Sequence, residues 1–352
     1  MKAEESIKIS VIMPVYNRAK VLPKAVRSVL SQTLREIELL CINDGSADNT
    51  VTVLKALARK DPRIRILSQR NAGAGPARNY GLRRAKGEFV AFLDSDDWYA
   101  SDDVLEKLYE NAVTHDVRVC LGGSRCAKLG KLQPLEGPGK VYFTKEALIS
   151  YQDYQFTHGY CRGIYDRKLL MEHQIFFPPY RRFEDPPFFV KAMSCAGRFY
   201  ALPDIVLIYD ESRHYQKIHW DERTVTDLLK GIRDVLRIAE EQHYTGLQKD
   251  FIGRIRCGDW SEIFSENLRG NFAEAKLIME EANGYFLEDA LRQHRHSDHE
   301  KPFDPILEDT FSNNHSFLKR TISRVRKALK SNINGGGAQD ENRNCILSVR
   351  TI

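Results

Sequence analysis

Within the first 93 residues, four short apolar runs alternate with segments of helical periodicity, and this alternation restricts the fold more than any other feature of the chain. Ile7 to Val15, Ile37 to Ile42, Arg63 to Leu67 and Glu88 to Leu93 are rich in Ile, Val, Leu or Phe and short enough for buried strands. Between them, Val21, Ala25, Val26, Val29 and Leu30 fall on one helical face, as do Val51, Leu54, Leu57 and Ala58 in the next segment and Ala77, Tyr80, Gly81 and Leu82 in the third. The pattern predicts an α/β fold on an open, mainly parallel sheet with right-handed crossovers. Ligands of such sheets bind beyond the carboxyl ends of the strands, so the chemistry should sit in the residues that follow each strand.

Those residues are polar and turn-rich: Pro14-Val-Tyr-Asn-Arg18, Asn43-Asp-Gly-Ser-Ala-Asp-Asn-Thr50, Gln69-Arg-Asn-Ala-Gly-Ala-Gly-Pro-Ala-Arg78 and Asp94-Ser-Asp-Asp-Trp98. Asp48 and Thr50 suit turn and helix-cap chemistry, whereas Asp44, at a strand tip, is expected to meet a ligand. Asp94, Asp96 and Asp97 are the strongest signal. Three carboxylates so close repel one another unless a cation or a set of donors compensates them. Carboxylates one residue apart can share a divalent ion and the diphosphate it bridges, and such hard oxygen ligands suit Mg²⁺ or Mn²⁺. The competing reading has Ser95, Asp96 and Asp97 capping a helix that starts near Asp102.

The runs Ile9-Ser-Val-Ile-Met-Pro-Val-Tyr-Asn17, Asn43-Asp-Gly-Ser-Ala-Asp-Asn49, Ala77-Arg-Asn-Tyr-Gly81 and Phe92-Leu-Asp-Ser-Asp-Asp-Trp98, in this order, closely resemble the family 2 glycosyltransferases of GT-A fold. The resemblance is firm over about the first 100 residues and weaker to about residue 215, a length that suits one catalytic domain. It implies inverting transfer of a hexosyl or N-acetylhexosaminyl group from a nucleotide-sugar, usually a UDP-sugar, to a hydroxyl acceptor. By the same resemblance Pro14, Val15 and Tyr16 form the nucleoside pocket, Asp44 bonds the base and Arg78 lies near the pyrophosphate. Asp94 and Asp96 occupy the Asp-x-Asp motif, one on the ribose side and the other on a divalent metal. Asn43 stands where many members have a first aspartate.

Arg182-Phe-Glu-Asp-Pro-Pro-Phe-Phe189 resembles the family's Glu-Asp motif. It implies Asp185 as general base, with Glu184 orienting an acceptor hydroxyl. A carboxylate suits that task, since the attacking hydroxyl must lose its proton as the bond forms. The same residues, followed by Pro186, also suit a helix N-terminus, and both readings can hold together. Gly159-Tyr-Cys-Arg-Gly-Ile-Tyr-Asp-Arg167 resembles a neighbouring family segment, with Gly163 in place of its lysine. His214 lies where relatives place a histidine that completes the metal sphere, and His219 is a rival. His294, His296 and His299 sit among polar residues and read as a solvated loop.

Domain boundaries are expected at 1–215 for the catalytic domain, 216–330 for a helical region and 331–352 for a polar tail. Val225, Leu228, Leu229, Ile232, Val235 and Leu236, then Ile252, Ile255, Ile263 and Phe264, recur at helical spacing. In residues 317–330, Leu318, Ile322, Val325 and Leu329 line one face and six Lys or Arg residues supply the rest. That helix either docks on the protein or meets an anionic membrane surface, a partner in keeping with a lipid-linked acceptor. The tail from Asn334 to Asn342 is Gly-rich and polar.

The excess of 53 Lys+Arg over 48 Asp+Glu, a net charge of +5, is too small and too evenly mixed to imply nucleic-acid binding. The polar start carries no signal core, and no run is apolar enough to span a membrane, so a cytoplasmic location is expected. The seven cysteines include no Cys-x-x-Cys pair and read as core residues rather than a disulfide or zinc framework. Other classes fit less well. A nucleotide-sugar pyrophosphorylase needs a Gly-rich, Arg-containing loop after the first strand, and a dehydrogenase needs Gly-x-Gly-x-x-Gly there. A processive membrane synthase would bring membrane spans, and a degenerate nucleotide- or glycan-binding module would not need Asp94, Asp96 and Asp185 together. The resemblance therefore remains the reading that fits, and it implies a glycosyltransferase of cell-surface polysaccharide synthesis, such as capsule or lipopolysaccharide.

Overall fold

Strand β1 (Ile9–Val15) and strand β2 (Ile37–Asp44) are buried along their whole length, as strands covered on both faces must be. The computed structural model describes residues 6–128, 131–134, 143–211 and 221–257, with the backbone alone for 252–257. β1 pairs in parallel with β2 on one side and with β4 (Phe89–Phe92) on the other, and β2 pairs in parallel with β3 (Ile64–Gln69). The chain therefore steps from β1 outward to β3, then returns to the far side of β1. That reversal, between β1 and β4, is where an open α/β sheet forms a ligand crevice.

Helices α1 (Leu22–Leu30), α2 (Thr50–Ala58) and α3 (Ala74–Leu82) make the connections. α1 buries Leu22, Ala25, Val26 and Val29, one side of a helix, and Pro23 in its first turn gives up no hydrogen bond that the helix needs. Beyond β4 come the short β5 (Trp98–Tyr99), helix α4 (Val104–Thr114) and β6 (Val119–Lys128). β5 intervenes before α4, and Asp103 takes the N-cap position, so Ser95, Asp96 and Asp97 do not cap that helix.

The remaining strands are β7 (Lys131–Pro134), β8 (Ala147–Ser150), β9 (Gly163–Asp166) and β10 (Arg198–Asp210). They continue the sheet in the order β3-β2-β1-β4-β9-β6-β10-β5, with β7 on β6 and β8 on β10. β9 runs antiparallel to both β4 and β6, whereas β6 and β10 are parallel. The parallel sheet expected from the first 93 residues is present, and its continuation is mixed.

Helix α5 (Arg167–Glu172) follows β9, and α6 (Asp185–Ala196) packs against α7 (Glu222–Glu241), which in turn packs against α8 (Thr245–Cys257). Val225, Leu228, Leu229, Ile232, Val235 and Leu236 are all buried and join the same core as the sheet. Asp221 caps α7, its side chain accepting from the Thr224 backbone N–H at 2.8 Å. Cys41, Cys120, Cys126 and Cys161 are buried free thiols and Cys195 is half-buried, as core residues should be. No helix among the described residues is long and apolar enough to cross a membrane. His214, His219, His294, His296, His299, segment 317–330 and the tail lie outside the described residues.

Candidate active site

The tips of β1 and β2 are tied to each other by side chains. Asn17, with φ 53°, accepts from the Ala47 backbone N–H at 2.9 Å and donates its own N–H to Ser46 Oγ at 3.1 Å. The Arg18 N–H donates to Thr50 Oγ1 at 2.8 Å, and Asp48 accepts from the Thr50 N–H at 2.9 Å, the local turn chemistry expected of these residues. Pro14 and Val15 are buried in β1, while Tyr16 stands 46% exposed at its end. Asp44 is buried and accepts from Gln69 Nε2 at 2.8 Å and from the Ala72 and Gly73 backbone N–H groups at 2.9 Å each. It thus fastens the loop after β3 as well as closing the strand tip. With about four lone-pair positions on a carboxylate, little capacity remains for a ligand.

At the end of β4, Asp94 is half-buried while Ser95, Asp96 and Asp97 are buried. Arg18 pairs with Asp96 (Nε to Oδ2, 3.3 Å) and Arg78 with Asp94 (Nη2 to Oδ1, 2.8 Å). Asp97 accepts from the Asp210 backbone N–H at 2.9 Å, linking the carboxylate turn to the end of β10. Burial, reinforced by Asp94 and Asp96, pushes the Asp97 carboxyl well above the usual range.

Arg78 is the hub of the site. Only 4% exposed, its guanidinium lies 4.8 Å from the centre of the Tyr160 ring and 5.1 Å from that of Phe177. Its Nη1 pairs with Glu184 Oε1 at 3.0 Å, so one buried cation joins the tip of β4 to the Glu-Asp motif, 106 residues away in sequence. Arg78 Nε is buried without a hydrogen-bond partner among the described residues. Burial opposes the charge on Arg78, but Asp94, Glu184 and the surrounding groups outweigh it and hold the pKa up. Tyr160, to which no sequence motif assigns a role, donates its hydroxyl to Asp94 at 3.1 Å. Asn79 was also missed. It accepts from the Phe177 N–H at 2.9 Å and donates to the Phe177 carbonyl at 2.7 Å, fastening the loop that leads to Glu184. Its adjacency to Arg78 on α3 was the available signal.

Glu184 and Asp185 start α6, Glu184 at the N-cap and Asp185 in the first turn. Phe188 of that helix stacks on Phe177 at 3.9 Å and meets Phe92 edge-on at 5.3 Å, which seats the helix start behind β4. The Asp185 carboxyl is raised to about 7, first by loss of solvent, then by Glu184 and Asp94, with Arg78 opposing. Gly163, where the resembling family segment has a lysine, sits at a close approach of two strands. A Cβ there would lie 2.1 Å from the Cys120 carbonyl oxygen of the paired strand.

Asp94, half-buried, and Asp96, buried, offer hard oxygen donors of the kind Mg²⁺ or Mn²⁺ takes as one or two carboxylates plus substrate phosphates. No set of three or more His, Cys, Asp or Glu side chains among the described residues is arranged to hold a metal unaided.

These features define the class: a mixed α/β domain of GT-A type, with acidic side chains at the switch point of its sheet. Residues 10–173 match the family model described as glycosyl transferase family 2. It is 31% identical over 211 residues to the uncharacterized glycosyltransferase EpsJ of Bacillus subtilis, covering 58% of this chain and 61% of EpsJ. It is 42% identical over 115 residues to the glycosyltransferase GlyA of Streptococcus pneumoniae, covering 33% of this chain and 16% of GlyA. The chain thus spans less than two thirds of either relative. Among solved structures, S. aureus TarS 1-349 in complex with UDP-GlcNAc is similar with a TM-score of 0.63 at 21% identity, over 85% of this chain and 97% of that one. Mannosyltransferase PcManGT from Pyrobaculum calidifontis, in complex with GDP-Man and Mn²⁺, has a TM-score of 0.52 at 17% identity, over 82% and 81%. Both likenesses concern the fold.

Proposed function

We propose that the protein transfers a sugar, with inversion, from a nucleotide-sugar to a hydroxyl of a glycan or lipid-linked acceptor. The observation that carries this reading is the Arg78 bridge. It joins Asp94, at the switch point of the sheet, to Glu184, whose neighbour Asp185 has a carboxyl poised at about 7. Donor-side and acceptor-side carboxylates thereby share one site. A fold neighbour that holds UDP-GlcNAc and another that holds GDP-Man with Mn²⁺ favour a nucleotide-sugar as donor.

In this reading Tyr16, with the backbone of Pro14 and Val15, borders the nucleoside, and Asp44 shapes the base end by holding the loop after β3. Asp94 takes the ribose side. A divalent ion held by Asp94 and Asp96 would stabilise negative charge on the departing diphosphate. Asp185 accepts the proton of the attacking hydroxyl as the new bond forms, and its raised pKa makes that transfer favourable near neutral pH. Glu184, held by Arg78, orients the acceptor. Arg78 fixes these carboxylates in place and so lowers the reorganisation that the reaction requires. His214 as a further metal ligand, segment 317–330 as a membrane contact, a cytoplasmic location, a role in surface-polysaccharide synthesis and the division at residues 215 and 330 complete the proposal.

Nucleotide release from a panel of UDP- and GDP-sugars, with and without Mn²⁺, tests it. Release from one donor, lost in Asp185→Asn, is the expected result. A folded protein that binds nucleotide and releases none from any donor would identify a binding module instead.

A further inference from the structure

Phe183, immediately before the reactive pair, has φ 66°, a left-handed conformation that is strained for a bulky aromatic residue. Such strain persists only where the surroundings over-determine it. The surroundings here are α7 and α8. A Cβ on Gly231 of α7 would lie 2.6 Å from the Phe183 carbonyl oxygen and 2.8 Å from its ring, so the loop rests directly on the helix backbone. The Phe183 ring meets Phe251 of α8 edge-on, with centroids 5.9 Å apart. Polar contacts flank this seat. Asp227 accepts from the Arg181 backbone N–H at 3.0 Å, and Asp234 accepts from the Tyr180 hydroxyl at 2.7 Å.

Positions 227, 231 and 234 follow at spacings of four and three, so they form one stripe along α7. That stripe grips residues 180–183, while Asn79 and Arg78 of α3 hold Phe177 and Glu184 at the two ends of the same loop. We infer that α7 and α8 set the position of Asp185 through this grip, with Gly231 and Phe183 as positioning residues for the transfer reaction. The inference rests on the reading of Asp185 as base. It extends the working site into helices that carry no motif of their own.

The test uses the full chain and the donor selected by the panel, UDP-GlcNAc first, with UDP as the binding probe. Gly231→Ala should fold, since Ala is the better helix former, and push the loop off its seat. The expected result is a fall in nucleotide release of at least tenfold, with UDP affinity unchanged. In an Asp185→Asn background the same substitution should cause no further loss, because both changes act on one step. Phe183→Ala, which keeps α7 intact, should give the same pattern and serves if Gly231→Ala does not fold. Unchanged release, UDP affinity falling in parallel with release, or an equal loss in both backgrounds would each overturn the inference. Full release by Asp185→Asn alone would instead remove the base assignment, leaving the seat to be judged by Gly231→Ala and Phe183→Ala in the native background.

Discussion

Residues 9–99 place every candidate side chain except Arg78, which lies in α3, within a few positions of a strand end, whereas residues 143–257 bring theirs to the same site from a loop held between helices. Tyr16, Asp44 and Asp94 are where they are because β1, β2 and β4 stop there. Glu184 and Asp185 are where they are because Arg78, Asn79, Phe188 and Gly231, from three different helices, leave the loop nowhere else to go. The second region depends on remote packing, and in the proposed reaction it would carry the proton transfer.

The comparison breaks first, if it breaks, at Asp185. Asp185→Asn should reduce nucleotide release on the order of 10²–10⁴-fold, the usual worth of a positioned base, while UDP affinity stays unchanged by titration calorimetry. A parallel loss of UDP affinity would mean that the two regions are not separable. Arg78→Met removes the cation between them, and breaking a buried pair of this kind costs about 3–5 kcal/mol. Denaturant unfolding should show that loss as a lower midpoint, together with loss of release. An unchanged midpoint would deny Arg78 its place as hub.

Asp96→Ala probes the donor side alone. UDP affinity measured with Mn²⁺ should fall roughly tenfold or more, about 1.4 kcal/mol per factor of ten, and become independent of the ion. Least in size is the pH response, which sharpens the acceptor side. The Asp185 carboxyl is raised to about 7, so as pH falls through that value it takes up a proton and can no longer accept one. Below about pH 7 the rate at saturating donor should therefore drop about tenfold per unit, and Asp185→Asn should abolish the slope. A flat profile between pH 6 and 8 would assign the proton transfer elsewhere.

Much of the first region was legible in advance. The four apolar runs became β1 to β4 within a residue or two at most ends, and the segments between them became α1 to α3. Glu184 and Asp185 were readable as a helix start, and α6 begins there. Asp44 was readable as a strand-tip ligand, but not as the anchor of the loop after β3, since its partners lie 25 to 29 residues away. Tyr160 lies in a segment that resembles a family one, but nothing there assigns it a role, because its contact with Asp94 is made across the sheet through β9 and β4. The mixed second half of the sheet was not foreseen, since antiparallel insertion of β9 between β4 and β6 depends on which edges remain open once the parallel strands have paired.

The sequence by itself determined the parallel core and the acidic strand tips. A strand buried on both faces needs an unbroken apolar run, a covering helix needs its own period, and the turn between them needs small and polar residues, all within a few neighbours along the chain. Only the tertiary structure decided that Arg78 would be a buried bridge between two carboxylates rather than an exposed contact, and that Phe183 would be held in a strained turn by Gly231. Both outcomes depend on desolvation and close approach between segments about 50 to 106 residues apart, and no local period encodes those.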